Sequence, residues 1–191
     1  MSFWNTSTGE NAADNAASNY EVEGGGSLEP MPEGTSVLAF PKKAEWAKTQ
    51  DGNAEYVYIQ WSIMKPEQFA NRVVPHKLWV TDLDPGVIDL EKAKKKRDRN
   101  LNMFATIDAN AGGRLARINS KPTNEELAVA LTGKTMVIGL GVWETNDGKS
   151  GNWVRSVSDK NAELKVGTAK PAQKPASSGN IGNDIGDSIP F

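Results

Sequence analysis

The sequence predicts a mainly β domain, a five-stranded, partly open barrel with a helical insertion between strands 3 and 4, carried between flexible N- and C-terminal arms. Three observations predict it. Apolar and polar residues alternate with period two in five separate stretches. The one long stretch with a 3.6-residue period falls between the third and fourth of these. Both ends of the chain are dominated by small and polar residues with no periodic apolar face. At 191 residues, with 38% hydrophobic residues and six tryptophans, there is enough apolar mass for one core. The boundaries read as an acidic arm over 1–33, a folded domain over 34–166, a Gly/Pro/Ala/Ser linker over 167–183 and an acidic-hydrophobic tail over 184–191.

The arm opens with Phe3-Trp4 and runs to Gly24-Gly25-Gly26, and Pro30, Pro32 and Gly34 mark the start of the domain. Residues 35–46 read as the first strand, with Leu38 and Phe40 on one face and Pro41 forcing a bend or bulge. Gln50-Asp51-Gly52-Asn53 is a turn signal. The second strand, 55–63, is the clearest: Val57, Ile59, Trp61 and Ile63 share the core face, and Tyr56, Tyr58, Gln60 and Ser62 the other. In the third, 73–80, Val74, His76, Leu78 and Val80 oppose Lys77 and Trp79. His76 lies in register with aliphatic residues and reads as a hydrogen-bonded core or edge histidine.

Residues 89–111 follow a helical period, and the charged run Glu91-Lys92-Ala93-Lys94-Lys95-Lys96-Arg97-Asp98-Arg99 reads first as a solvated helix face, with nucleic-acid contact as the alternative. Gly112-Gly113 ends that helix, and Thr123-Asn124-Glu125-Glu126 caps a shorter one through Leu131. In the fourth strand, 135–143, Met136, Ile138, Leu140 and Val142 point inward. Gly139 and Gly141 lie opposite, where strong curvature or a close ligand needs no side chain. Residues 146–152 read as a flexible hairpin tip before the fifth strand, 153–158. With the turn centred near Gly148, Trp143 and Trp153 are expected to face each other across the hairpin, with Arg155 on their side.

The inventory excludes several chemistries. Without cysteine there is neither a disulfide framework nor a thiolate metal site, and a reducing cytoplasm is the expected compartment. A single histidine excludes His-rich metal sites and leaves any Ser-His chemistry to His76 alone. No window reaches the roughly 18 apolar residues of a spanning helix, so no membrane partner is expected. Gly148-Lys149-Ser150 and Gly133-Lys134-Thr135 imitate the end of a phosphate-binding loop. The glycine that motif needs five residues earlier is replaced by Trp143 and Ala128, and neither site begins a helix. Acidic residues show no spacing for paired-carboxylate catalysis. The expectation is a protein that is not an enzyme and takes no cofactor or metal.

The formal charge of −2 hides an uneven distribution. The first 33 residues carry six acids and no base, whereas 34–166 carry 20 bases against 16 acids. A mildly basic body with acidic ends suits a polyanionic partner. Five strands with the insertion after the third follow the order of the OB fold, whose usual ligand face lies on strands two and three between flanking loops. Tyr56, Tyr58, Lys77 and Trp79 fall on that face. Trp143, Lys149, Trp153 and Arg155 form one rim, and Lys42, Lys43, Trp46 and Lys48 the other. Aromatic rings stack unpaired bases of any identity, and Lys and Arg meet phosphates, so this set suits single-stranded nucleic acid with weak sequence preference. Some rings are expected to be structural instead: Trp61 is core by its parity, and Trp143 with Trp153 has the alternative of clamping its hairpin.

The chain ends in Asp184-Ile185-Gly186-Asp187-Ser188-Ile189-Pro190-Phe191, an acidic run closing on an apolar tip and a free carboxylate. Together with the barrel order and the linker, this ending resembles bacterial single-stranded DNA-binding proteins, which close on clustered aspartates and Ile-Pro-Phe. Met1-Ser2-Phe3-Trp4, the run from Leu28 through Thr35, the Asn71-Arg72 to Trp79 strand and Leu131-Thr132-Gly133-Lys134 resemble a bacteriophage group of OB-fold single-stranded DNA-binding proteins across most of the chain. The resemblance implies protection of exposed single strands during phage replication or recombination, in the host cytoplasm. It also implies recruitment of host or phage replication proteins through Asp184, Asp187, Ile189, Pro190 and Phe191. A single barrel covers few nucleotides, which favours self-association or cooperative arrays. Here the aspartates are separated and Ser188 intervenes, leaving Ile-Pro-Phe and the carboxylate to carry more of the recognition. The alternative expectation is an OB-fold interaction adaptor that scaffolds replication or recombination proteins with little DNA affinity of its own. RNA shares the stacking chemistry.

Overall fold

Alternation becomes five strands in the computed structural model, which describes residues 29–118 and 120–168. They are β1 (Ser36–Lys48), β2 (Glu55–Lys65), β3 (Val73–Leu78), β4 (Met136–Glu144) and β5 (Ser150–Ser158), in one antiparallel sheet of order β3-β2-β1-β4-β5. Among the described residues, no hydrogen-bonded ladder joins β3 to β5, although the two end strands approach within 8 Å between Cα atoms. The insertion between β3 and β4 holds α1 (Leu90–Ala111) and α2 (Asn124–Leu131). The tail residues Asp184, Asp187, Ile189, Pro190 and Phe191 lie outside the described residues, as do the linker beyond Thr168 and the arm before Glu29.

Val57, Ile59, Trp61 and Ile63 of β2 are fully buried, as their parity requires, against Val37, Ala39, Val74, Leu78, Ile138 and Leu140 of the neighbouring strands. Leu127, Ala130 and Leu131 of α2 and Ile107 of α1 add to the same core. Trp61 directs its indole N–H at His76 Nδ1, 3.4 Å away, so His76 is the hydrogen-bonded core histidine that its register predicts. Burial lowers its pKa to about 4, so it is neutral at physiological pH.

Three bulges reset the sheet, the first at Met64 of β2, which is the extra residue between the pairs Leu38↔Lys65 and Ala39↔Ile63. In β1 the pairing passes from Pro41↔Trp61 to Lys43↔Gln60, leaving Lys42 as the extra residue. Before this bulge the odd-numbered Val37 and Ala39 face the core, and after it the even-numbered Ala44 does. In β5, Val154 pairs with Leu140 and Ser156 with Gly139, so Arg155 is the extra residue. The second device is a plug. Met31, between two prolines, is 2% exposed and belongs to the core. Its backbone N–H donates to Asn152 Oδ1 and its carbonyl accepts from Asn152 Nδ2, both at 2.8 Å. The folded unit therefore begins before Gly34, where the prolines and glycine place its boundary. At the other end, Lys165 bridges to Ser36 and the Gly167 N–H donates to Thr35 Oγ1.

Helix ends follow their local chemistry. Asp89 caps α1 by accepting from the Lys92 N–H at 3.0 Å, and Gly112 ends it in the left-handed region at φ 112°. Thr123 and Glu126 form a reciprocal capping box on α2. Buried Asp108 accepts from the Leu115 and Ala116 N–H groups, pinning the return of the chain after α1. Among the described residues, no helix is long and apolar enough to cross a membrane, and no group of three His, Cys, Asp or Glu gathers to hold a metal ion.

Candidate nucleic-acid interface

Strands β2 and β3 place one row of the candidate residues in register. Glu45 of β1, Tyr58 of β2 and Lys77 of β3 lie side by side on the face away from the core. One pair along, Tyr56 approaches Trp79 with ring centroids 4.9 Å apart and planes tilted by 56°, and the Lys77 ammonium stands 5.2 Å from the Tyr56 ring centre. Both tyrosines are half-buried and Lys77 is exposed. Trp79 is only 6% exposed. It is therefore a buried ring packed against Tyr56, whereas the sequence places it on the open face as a stacking ring.

The β4–β5 hairpin differs from its expected pairing. Trp143 sits opposite Gly151, and Trp153 opposite Gly141, so each indole crosses to a glycine and not to the other tryptophan. A Cβ on Gly151 would stand 2.6 Å from Trp143 Cζ2, and one on Gly141 would stand 2.5 Å from Trp153 Cε2. Carbon atoms pack at about 3.5–4.0 Å, so only glycine admits these rings so close to the backbone. The indoles nevertheless remain 36% and 45% exposed. Large aromatic surfaces are thus held against the sheet and open to solvent. Gly139, in the same row, lies under the Ser156 hydroxyl.

Cations surround both groups with different freedom. Lys42 projects from the β1 bulge, and neither it nor Lys77 has an ion-pair partner among the described residues. Lys43 meets Glu45 at 2.6 Å, Lys149 meets Asp147 at 3.2 Å and Arg155 lies 3.9 Å from Glu33. Hydrogen bonds from Thr145 and then Lys149 hold the Asp147 carboxyl below its ordinary range, so the hairpin tip carries a fixed negative charge beside Lys149. Exposed pairs of this kind contribute little to stability, and a phosphate can compete for their cations.

Trp46 does not join the set. The β1 bulge turns it to the core side, where its indole N–H donates to the Pro122 carbonyl at 2.7 Å and its backbone N–H to Asn124 Oδ1. The Lys121 ammonium lies over its ring at 4.1 Å, itself paired with Glu55. Trp46 is a clamp between β1 and the start of α2, with no free ring face established for a base. The remaining candidates fall into two groups on the outer face of one sheet, Tyr56, Tyr58 and Lys77 on β2–β3 and Trp143 and Trp153 on β4–β5.

Gly151 is the residue that strand reasoning passed over, because it lies in the stretch taken as a flexible tip. The signal was present: Gly141-Val142-Trp143 and Gly151-Asn152-Trp153 are two copies of Gly-x-Trp. Antiparallel pairing about the turn between them brings each glycine opposite the other copy's tryptophan. No protein-family model matches the sequence, and no curated protein sequence matches it.

Proposed function

We propose that this protein binds single-stranded DNA with little sequence preference, protecting exposed strands during phage DNA replication or recombination. The observation that carries this reading is the pair of exposed indoles on the β4–β5 hairpin, each laid against a glycine and accompanied by cations. An exposed aromatic ring held against a backbone offers a flat surface to any base at little entropic cost, because its rotamer is already fixed. Tyr58 beside Lys77 supplies a second stacking and phosphate-binding group on the same side of the sheet. The strand order and the approach of β3 to β5 support an OB-type barrel whose outer wall carries both groups. The tail residues Asp184, Asp187, Ile189, Pro190 and Phe191 would recruit host or phage replication and recombination proteins, a role supported by their resemblance to the bacterial ending.

Binding is tested with oligo-dT and with a Trp143→Ala/Trp153→Ala variant. Loss of two stacks of about 1–3 kcal/mol each weakens binding by at least about 30-fold. An unchanged affinity would remove the hairpin from the interface. Should the protein capture replication proteins through its tail while ignoring oligo-dT, the adaptor function replaces DNA binding.

A further inference from the structure

We infer that α1 carries an additional phosphate-binding site, in which Lys92, Lys95 and Arg99 hold the backbone of single-stranded DNA beside the β2–β3 face. This rests on the single-strand binding proposed above and assigns to it a surface outside the sheet.

At 100° per residue the three positions fall within about 60° of one another on the helix. The buried Ala93, Ile107 and Asp108 turn elsewhere, toward the core and the return loop. All three cations are exposed, and among the described residues none has an ion-pair partner. Their helical neighbours are arranged differently. Lys94 pairs with Glu91 at 3.0 Å, Lys96 with Asp84 at 2.6 Å and Arg97 with Asp98 at 3.1 Å.

Helix formation does not account for the stripe. Lys92 and Lys95 are three apart, and Lys95 and Arg99 four apart, so like charges repel along one flank. Lys92 also stands in the first turn of the helix, where the macrodipole disfavours cations. The nearby acids are engaged elsewhere: Asp89 accepts from the Lys92 backbone N–H as the helix cap, Glu91 pairs with Lys94 and Asp98 with Arg97.

The position relative to the sheet follows from two bonds. Lys96, on the edge of the stripe, is tied to Asp84 in the loop that leaves Trp79. In the same loop Asp82 accepts from the Glu55 N–H at 2.7 Å, one residue before Tyr56. The acids of that loop are thus engaged, and the stripe is anchored next to the Tyr56, Lys77 and Trp79 cluster. A strand whose bases rest on β2–β3 meets these cations as it leaves the sheet.

The test is the salt dependence of oligo-dT binding by the full chain carrying Lys92→Gln, Lys95→Gln and Arg99→Gln, glutamine being a good helix former. Each neutralised phosphate adds about 0.7 to the log–log slope for single strands, so the triple variant loses about 2. The affinity ratio of wild type to variant then falls about 20-fold between 50 and 200 mM salt. Lys94→Gln/Lys160→Gln/Lys165→Gln, with an equal change of net charge, keeps the wild-type slope. Circular dichroism checks folding, and Lys95→Gln alone, losing about 0.7 of slope, serves if the triple variant does not fold. Wild-type binding with an unchanged slope in the first triple, or an equal loss in the second, overturns the α1 site and leaves the sheet interface standing. A wild type that ignores oligo-dT overturns both.

Discussion

Replacing Gly141 with alanine attacks the hairpin platform without touching an aromatic ring. The added Cβ would stand 2.5 Å from Trp153 Cε2 and closer still to Nε1. Carbon contacts relax at about 3.5–4.0 Å, so the indole must lift or swing by about 1 Å or more. A ring moved that far no longer presents the same plane, and the loss expected in oligo-dT binding is that of one stack, about 1–3 kcal/mol or roughly 5- to 150-fold. The assay is a double-mutant cycle on oligo-dT affinity, with Gly141→Ala, Trp153→Ala and the double variant, each checked by thermal denaturation. If the glycine acts through the ring, Gly141→Ala weakens wild type but has almost no effect once Trp153 is gone. An equal loss in both backgrounds, or none in either, would refute the platform.

Three further outcomes test the account. In the folded chain His76 takes up a proton only near pH 4, whereas the unfolded chain does so near 6.5, so its contribution to stability is constant above 6.5 and is lost as pH falls between these values. The loss is about 3 kcal/mol, and urea denaturation of His76→Gln, which keeps a polar partner for Trp61 but does not titrate, should show a correspondingly flatter acid limb. Asn152→Ala removes both short bonds to the Met31 backbone. It should lower stability by about 2 kcal/mol and Tm by about 4–8 °C, and an unchanged Tm would mean that the plug holds without Asn152. Deleting 182–191 should abolish capture of replication proteins and leave the thermal transition of the folded unit in place.

The strands were legible because a half-buried strand must alternate, and β2 states its two faces without ambiguity. The helices were legible from a 3.6-residue period, Thr123 as the cap of α2, and Gly112-Gly113 as the stop of α1; the Asp89 cap emerged only with the fold. Bulges set the limit. Pro41 announced an irregularity in β1, but one extra residue reverses the parity of everything after it, and this turned Trp46 from the expected rim to the core side. Met31 was hidden for another reason: a lone apolar residue between prolines has no period, and only its distant partner Asn152 gives it a place. Of the candidate interface, the β2–β3 row with Lys77 could be read from alternation, whereas Lys42 and Arg155 sit at bulges that alternation does not place. The glycine floors beneath Trp143 and Trp153 required the hairpin register, which the two Gly-x-Trp copies encode but a flexible-tip assignment obscures. Trp79 has the outward parity of Lys77 yet is buried against Tyr56, because parity fixes a face and not what covers it.

Single-strand preference is the central claim, and competition between oligo-dT and a duplex of equal length, followed by tryptophan fluorescence, tests it directly. Bases stack on Trp143 and Trp153 only when unpaired, so oligo-dT should bind at least about 30-fold more tightly and perturb the indole emission, with an affinity that falls as salt rises. Equal affinity for duplex and single strand, with no change in emission, would contradict it.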